Sequence, residues 1–168
     1  MTVTMGDDLA SYMRNNPGAV IEDVARERAV TPRAVLEALP AELVTITGGA
    51  DAFVTAMQDI AGWGEVTLIV HTEDGIFEIT APVSEGQIGH GYFNLMNPKG
   101  LHGHLRHARC GGVAFVERPF MGKPSAFVAF LNVDGGVMFK VFVGRDENRA
   151  LKADQLDRFR ALAGRISG

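Results

Sequence analysis

Apolar residues recur every three or four positions through residues 7–40: Leu9 and Met13, then Ile21 with Val24 and Ala25, then Val35, Leu36 and Leu39 before Pro40. That spacing puts them on one face of a helix. Thr31-Pro32 marks a helix start, Thr31 as N-cap and Pro32 in the first turn. IEDVARERAVTPRAVLEALP therefore predicts helix, tight turn, helix. Val54, Met57 and Ile60–Ala61 set a further helix over Asp51–Gly62, stopped by Gly62 and Gly64. From Val66 the period drops to two. EVTLIVH, GIFEIT, GYFNLM, GVAFVER, SAFVAFLN and GVMFKVFVG read as strands, separated by Asp-Gly, Gly-Gly, Asn-Pro and Gly-Lys-Pro breaks. Asn132 to Gly136 reads as a hairpin turn. A last helix over Ala153–Ile166 carries the stripe Leu156, Phe159, Leu162 and Ile166.

Helices, an antiparallel meander and a closing helix make an α+β domain. The chain divides into a helical part, 1–62, and a sheet with its C-terminal helix, 63–168, within one domain. In SAFVAFLN both alternating sets are apolar: Phe127, Ala129 and Leu131 on one face, Ala126, Val128 and Phe130 on the other. A half-solvated strand alternates more cleanly. Both faces of the sheet are therefore expected to be covered, one by helices and the other by more sheet, a partner subunit or a ligand.

Bulk properties narrow the function. The 168 residues carry a net charge of −4, with the basic residues scattered, so nothing draws the whole molecule onto nucleic-acid phosphates or anionic lipid. A single cysteine, Cys110, excludes an internal disulfide and a Cys-rich zinc knuckle. Asp7 and Asp8 precede any apolar run, which does not read as a secretory signal, and no apolar stretch is long enough to span a bilayer. The expected location is a reducing cytoplasm.

The candidate chemistry gathers in Gly89–Cys110, GHGYFNLMNPKGLHGHLRHARC, which holds four of the five histidines among glycines and aromatics. Imidazole ligates transition metals and haem iron. His102, His104 and His107 with Cys110 have the look of a zinc site, against which stand the interleaved Arg106 and Arg109 and the plainer reading as a polar loop. The helix pair over residues 20–39 has the outline of a DNA-reading motif. Its second helix offers only Arg33 beside Glu37, and Glu22, Asp23 and Glu27 surround it, so a structural pair is the alternative. His71 closes the strand Thr67–His71, either as a hydrogen-bonded boundary residue or as an imidazole at the lip of an apolar pocket. Lys140 stands between Met138 and Phe142 on one strand face; it either snorkels to solvent or meets an anionic ligand group. Arg145 is a carboxylate clamp or a surface partner of Asp146. No nucleophile motif, P-loop or dinucleotide fingerprint is present.

Long segments of the chain resemble the HutX/ChuX family of bacterial intracellular haem-utilisation carriers: IEDVA and EALP, WGEVTLIVHT at Trp63–Thr72, HGYFNL at His90–Leu95, GHL at Gly103–Leu105, VERPFMG at Val116–Gly122 and FKVFVGRDENRAL at Phe139–Leu151. The resemblance implies a fold similar to half of a HemS/ChuS-type haem protein, paired as a homodimer. It implies haem as the bound group, with His71 and His104 as iron ligands. His102 stands where the family does not require histidine, which weakens the zinc reading.

The expected function is a cytosolic haem-binding protein that stores imported haem or passes it on, for instance to a downstream haem-degrading protein. Lys140 and Arg145 are the candidates for holding the haem carboxylates. The rival readings are an enzyme that opens the porphyrin or releases its iron, and a metal-responsive DNA binder built on the N-terminal helices.

Overall fold

The two-sided apolar pattern of residues 125–132 places that segment in the middle of the molecule, and the other elements assemble around it. The computed structural model describes residues 8–167. The start of the chain up to Asp7, part of the acidic N-terminus read above, lies outside the described residues. Helices α1 (Leu9–Asn15), α2 (Ile21–Arg28) and α3 (Pro32–Glu37) come first, followed by strand β1 (Val44–Thr47) and helix α4 (Ala50–Ile60). Thr31 caps α3 as expected, its hydroxyl accepting from the Ala34 amide at 3.1 Å.

Next come β2 (Glu65–Thr72) and β3 (Gly75–Pro82), a small set of strands β4 (Gly86–Gly89), β5 (Tyr92–Met96) and β6 (His102–Leu105), then β7 (Cys110–Phe120), β8 (Lys123–Asn132) and β9 (Val137–Phe142). Helix α5 (Ala153–Ser167) closes the chain. The architecture is α+β, with antiparallel pairing in both sheets.

The strand order departs from a simple meander. One sheet runs β1-β7-β8-β9-β2-β3, and β4-β5-β6 form a separate three-stranded sheet. The strand that follows the N-terminal helices, β1, therefore pairs with β7, and β2 pairs with β9 across a long loop of sequence. Sheet thus begins inside the part of the chain read as helical. β1, β4 and β6 are four residues each, too short for alternation to show.

Helices lie on both faces of β8, and on one of them the small sheet joins the helices through Phe93 and Leu95, so the expected cover of more sheet is met in part. Phe127, Ala129 and Leu131 pack with Ile21, Val24, Val35 and Leu36 of the N-terminal helices. Ala126, Val128 and Phe130 pack with Phe53, Ala56 and Met57 of α4 and with Phe159 and Leu162 of α5. Phe130 meets Phe53 edge-on at 5.1 Å between ring centroids and stacks on Phe139 at 4.5 Å. Each such side chain, fully withdrawn from water, contributes about 1.5–3 kcal/mol.

One polar side chain ties the helix layer to the strand ends. Gln155 of α5 is only 1% exposed. Its Oε1 accepts from the Gly144 amide at 2.7 Å, and its Nε2 donates to the carbonyls of Trp63 (3.1 Å) and Glu65 (2.8 Å). Gly144 lies so close to β2 that a β-carbon there would stand 2.7 Å from the Glu65 carbonyl oxygen. Replacing Gln155 with Leu strands the buried Gly144 amide and Trp63 carbonyl, while the Glu65 carbonyl keeps Lys152 Nζ, and a single buried group left unpaired costs about 1–3 kcal/mol. We expect Gln155→Leu to lower the urea midpoint by the equivalent of about 2–3 kcal/mol with an unchanged slope. A midpoint equal to that of the parent protein would show that water replaces these bonds.

Candidate functional site

The N-terminal helices cover β7 and β8 but leave the far end of the same sheet face open. There β2 presents Thr67, Ile69 and His71. The β2–β3 register sets Thr80, Glu78 and Ile76 opposite them, and β9 adds Lys140 beside Ile69 and Phe142 beside Thr67. These residues, with the start of α2, the end of β7 and the segment after β9, line a cavity of about 500 Å³. Ligand pockets commonly span about 300–1,000 Å³ and combine apolar walls with a few polar groups. The walls here include Ile21, Val66, Ile69, Phe120 and Phe142.

Inside the cavity the charged groups form a cluster. Glu22, in the first turn of α2, reaches across to the sheet: its Oε1 lies 2.6 Å from Lys140 Nζ and its Oε2 lies 3.3 Å from His71 Nδ1. All three side chains are largely withdrawn from solvent, Lys140 to 8% and Glu22 to 14% exposure. Burial pushes the Lys140 ammonium below its ordinary range, against the opposing pull of the Glu22 carboxylate.

Arg118 of β7 stands in the same wall and is 6% exposed. Burial pushes its guanidinium down to about 10. One of its terminal nitrogens donates to the Pro17 and Ala19 carbonyls, at 3.1 and 2.5 Å. Its Nε has no hydrogen-bond partner, and neither Glu22 oxygen has an aligned one, although Lys140 Nζ and His71 Nδ1 stand beside them. Two buried cations thus face one buried carboxylate. That leaves the cavity wall with an excess of positive charge in a region of low dielectric.

The sequence-predicted residues fall in different places. His71 and Lys140 lie inside the cavity. Lys140 does not snorkel; it is buried against Glu22. Arg145 stands at the rim with Lys152. It is not a partner of Asp146: its guanidinium donates to the Arg149 and Pro124 carbonyls, at 3.0 and 2.7 Å, while the Asp146 carboxylate caps the amides of Asn148 and Ala150.

His104 does not line the cavity. It lies exposed on β6, its Nδ1 2.6 Å from Asn94 Oδ1 and its ring edge-on to Tyr92. Because the Asn94 amide nitrogen donates to the Gln87 and Gly89 carbonyls, its oxygen is the acceptor and His104 Nδ1 carries the proton. His102 bonds the Gly100 carbonyl instead, and no group of three metal-ligating side chains forms among the described residues. The helix pair α2–α3 spends its apolar faces on the sheet. Arg33 is held by Glu37 (2.7 Å) and the Gly111 carbonyl (3.0 Å), not presented to a groove.

Two residues of the cluster escaped the sequence reading. Glu22 looked like one more acid in an amphipathic helix. Arg118, a charge in a strand that is otherwise almost all apolar, was the visible signal.

The family model described as haem utilisation ChuX/HutX matches residues 46–162. The chain belongs to the ChuX/HutX family. It is 36% identical over 160 residues to the intracellular heme transport protein HutX of Vibrio cholerae, an alignment covering 95% of this chain and 82% of that protein. The structure of the heme binding protein ChuX is similar at 35% identity and a TM-score of 0.87, covering 96% of this chain and all of that one. The fold also matches 49% of the larger ChuS of Escherichia coli O157:H7, at a TM-score of 0.74 and 14% identity. This half-length match agrees with the fold expected for a ChuX/HutX protein. Of the buried cluster, His71, Arg118 and Lys140 lie within residues 46–162, whereas Glu22 lies before them.

The ion pair makes a prediction of its own. Removing one partner of a buried pair leaves the other charge uncompensated, at a cost of about 3–5 kcal/mol. Lys140→Met should therefore destabilise the protein markedly, and Glu22→Gln in the same chain should restore most of the loss. Urea unfolding of the two single variants and the double variant checks this. Additive losses would mean that the two groups do not interact.

Proposed function

We propose that this ChuX/HutX protein is an intracellular haem-binding carrier that stores imported haem or passes it on. The functions of its relatives, heme transport for HutX and heme binding for ChuX, support the reading. The observation that carries it is the cavity beside β2, where an imidazole, apolar walls and an excess of buried positive charge meet. Haem is a flat apolar ring with a metal at its centre and two carboxylates at one edge. Each of these features has a counterpart in that cavity.

In this reading His71 is an iron ligand. The apolar side chains beside it hold the ring, and Lys140 and Arg145 are the carboxylate-holding cations, one within the wall and one at the rim. His104 is a second iron ligand, placed on the separate three-stranded sheet with its Nε2 left unengaged by Asn94. Ligation by imidazoles without a covalent link allows capture and release, which a carrier requires.

The test is a hemin titration followed by addition of a reductant in air, with catalase present. A carrier keeps a stable Soret band. Bleaching that catalase does not suppress would instead support a haem-degrading enzyme. His71→Ala and His104→Ala should each shift the Soret band or weaken binding, and His107→Ala should change little. Unaltered spectra and affinity in the His71/His104 double variant would remove both from the site.

We further propose that the chain works as a homodimer and delivers haem to a separate haem-degrading protein. β3 is an edge strand, exposed along nearly its whole length, and carries Ile76 (56% exposed) and Phe77 (67%). An unpaired edge of this kind is prone to association. The fold match to half of ChuS is what two copies of this chain would complete. Light scattering should give about twice 18.1 kDa. A monomer at micromolar concentration with haem present would contradict the dimer.

A further inference from the structure

Among the described residues, His71 is the one histidine with a carboxylate against its ring. His104 and His102 each engage a neutral oxygen, from the Asn94 amide and the Gly100 carbonyl. Glu22 Oε2 lies 3.3 Å from His71 Nδ1, and the other oxygen of the same carboxylate lies 2.6 Å from Lys140 Nζ. The three groups form a chain across the cavity wall, from α2 to β2 and β9. Which ring nitrogen of a histidine carries the proton is set by what the other atom meets, and a carboxylate only accepts.

We propose that Glu22 is the positioning residue of the haem site: its carboxylate takes the Nδ1–H of His71 and so presents the Nε2 lone pair to iron. This rests on the reading of His71 as an iron ligand and adds Glu22, which lies before residues 46–162 of the family model. The Lys140 ammonium, 2.6 Å from the other carboxylate oxygen, fixes the orientation of Glu22. An anionic acceptor behind the imidazole makes it a stronger donor than one backed by an amide. A more basic ligand stabilises ferric over ferrous iron. The site at His71 is thereby set to hold oxidised haem more firmly than His104, which Asn94 backs with a neutral oxygen. At 3.3 Å the two groups are adjacent but not joined by an aligned hydrogen bond in the haem-free chain. Contacts of this kind tighten when the partner is bound.

Two measurements test the proposal. In the haem-free protein, labelled with ¹⁵N-histidine at mildly alkaline pH, long-range ¹H–¹⁵N correlations report the tautomer of each ring. His71 should carry its proton on Nδ1; a proton on Nε2 would overturn the assignment whether or not the protein binds haem. With hemin, in the His104→Ala background that leaves His71 as the one imidazole ligand, Glu22→Gln should keep the His71 ligation but lower the iron–histidine stretching frequency of the ferrous form, raise the midpoint potential and weaken ferric haem about 10–100-fold.

Glu78→Gln serves as the control. It removes a carboxylate from the same cavity at the position opposite Ile69 and should leave the stretching frequency where it is. Equal shifts in the two variants, or none in Glu22→Gln, would overturn the proposal while His71 stays a ligand. If His71→Ala leaves the haem spectra unchanged, the ligand reading itself fails. The tautomer result then still decides whether Glu22 orients the ring.

Discussion

The central strands are apolar on both sides, and that constraint organises the molecule. A sheet whose middle cannot face water on either side requires two helical layers. The chain supplies α1–α3 from before the sheet on one face and α4 with α5 on the other. The first layer is small. It spans β7 and β8 and stops short of β2 and β3, so the same sheet face that is core at Phe127 is cavity floor at Ile69 and His71. The cavity exists because three short helices cover part of a six-stranded sheet.

The edge of that layer is where the electrostatics concentrate. Glu22 sits one residue past Ile21, which is fully buried in the core beneath the helices. A one-residue step on the helix thus carries the chain from hydrophobic contact to a carboxylate aimed at the sheet. Lys140 and Arg118 lie on strands that are otherwise almost all apolar, and burial lowers the pKa of both. Such an arrangement is poor for stability alone, since hydrophobic residues of similar volume pack as well without the desolvation cost. It suits the proposed capture and release of a ligand that carries carboxylates.

Much of the fold could be read from the sequence, because α2, α3, α4, α5 and the six longer strands have strong periodicity or clear caps. Thr31 and the two-faced pattern of residues 125–132 carried the firmest information. What stayed hidden was non-local. No local pattern says that β1 joins β7, that β2 joins β9, or that residues 86–105 form a sheet of their own. The site divided in the same way. His71 and Lys140 were visible as polar residues on apolar strands. Glu22 was not, since an acid in the first turn of a helix is ordinary and only tertiary packing turns it inward. Arg145 was visible too, but the choice of backbone carbonyls over Asp146 depends on a turn that sequence does not reveal.

The edge strand β3 gives the cavity a wall held by pairing from one side alone, through β2. Almost all its residues remain exposed, so few buried contacts resist its local opening. If the cavity holds haem as proposed, the guest can leave by the fraying of one outer strand while the doubly covered centre stays closed. Retention time and global stability become separate properties of this chain. Whatever clasps that outer strand, in the cell or in the test tube, would act as a lock on the contents without touching them.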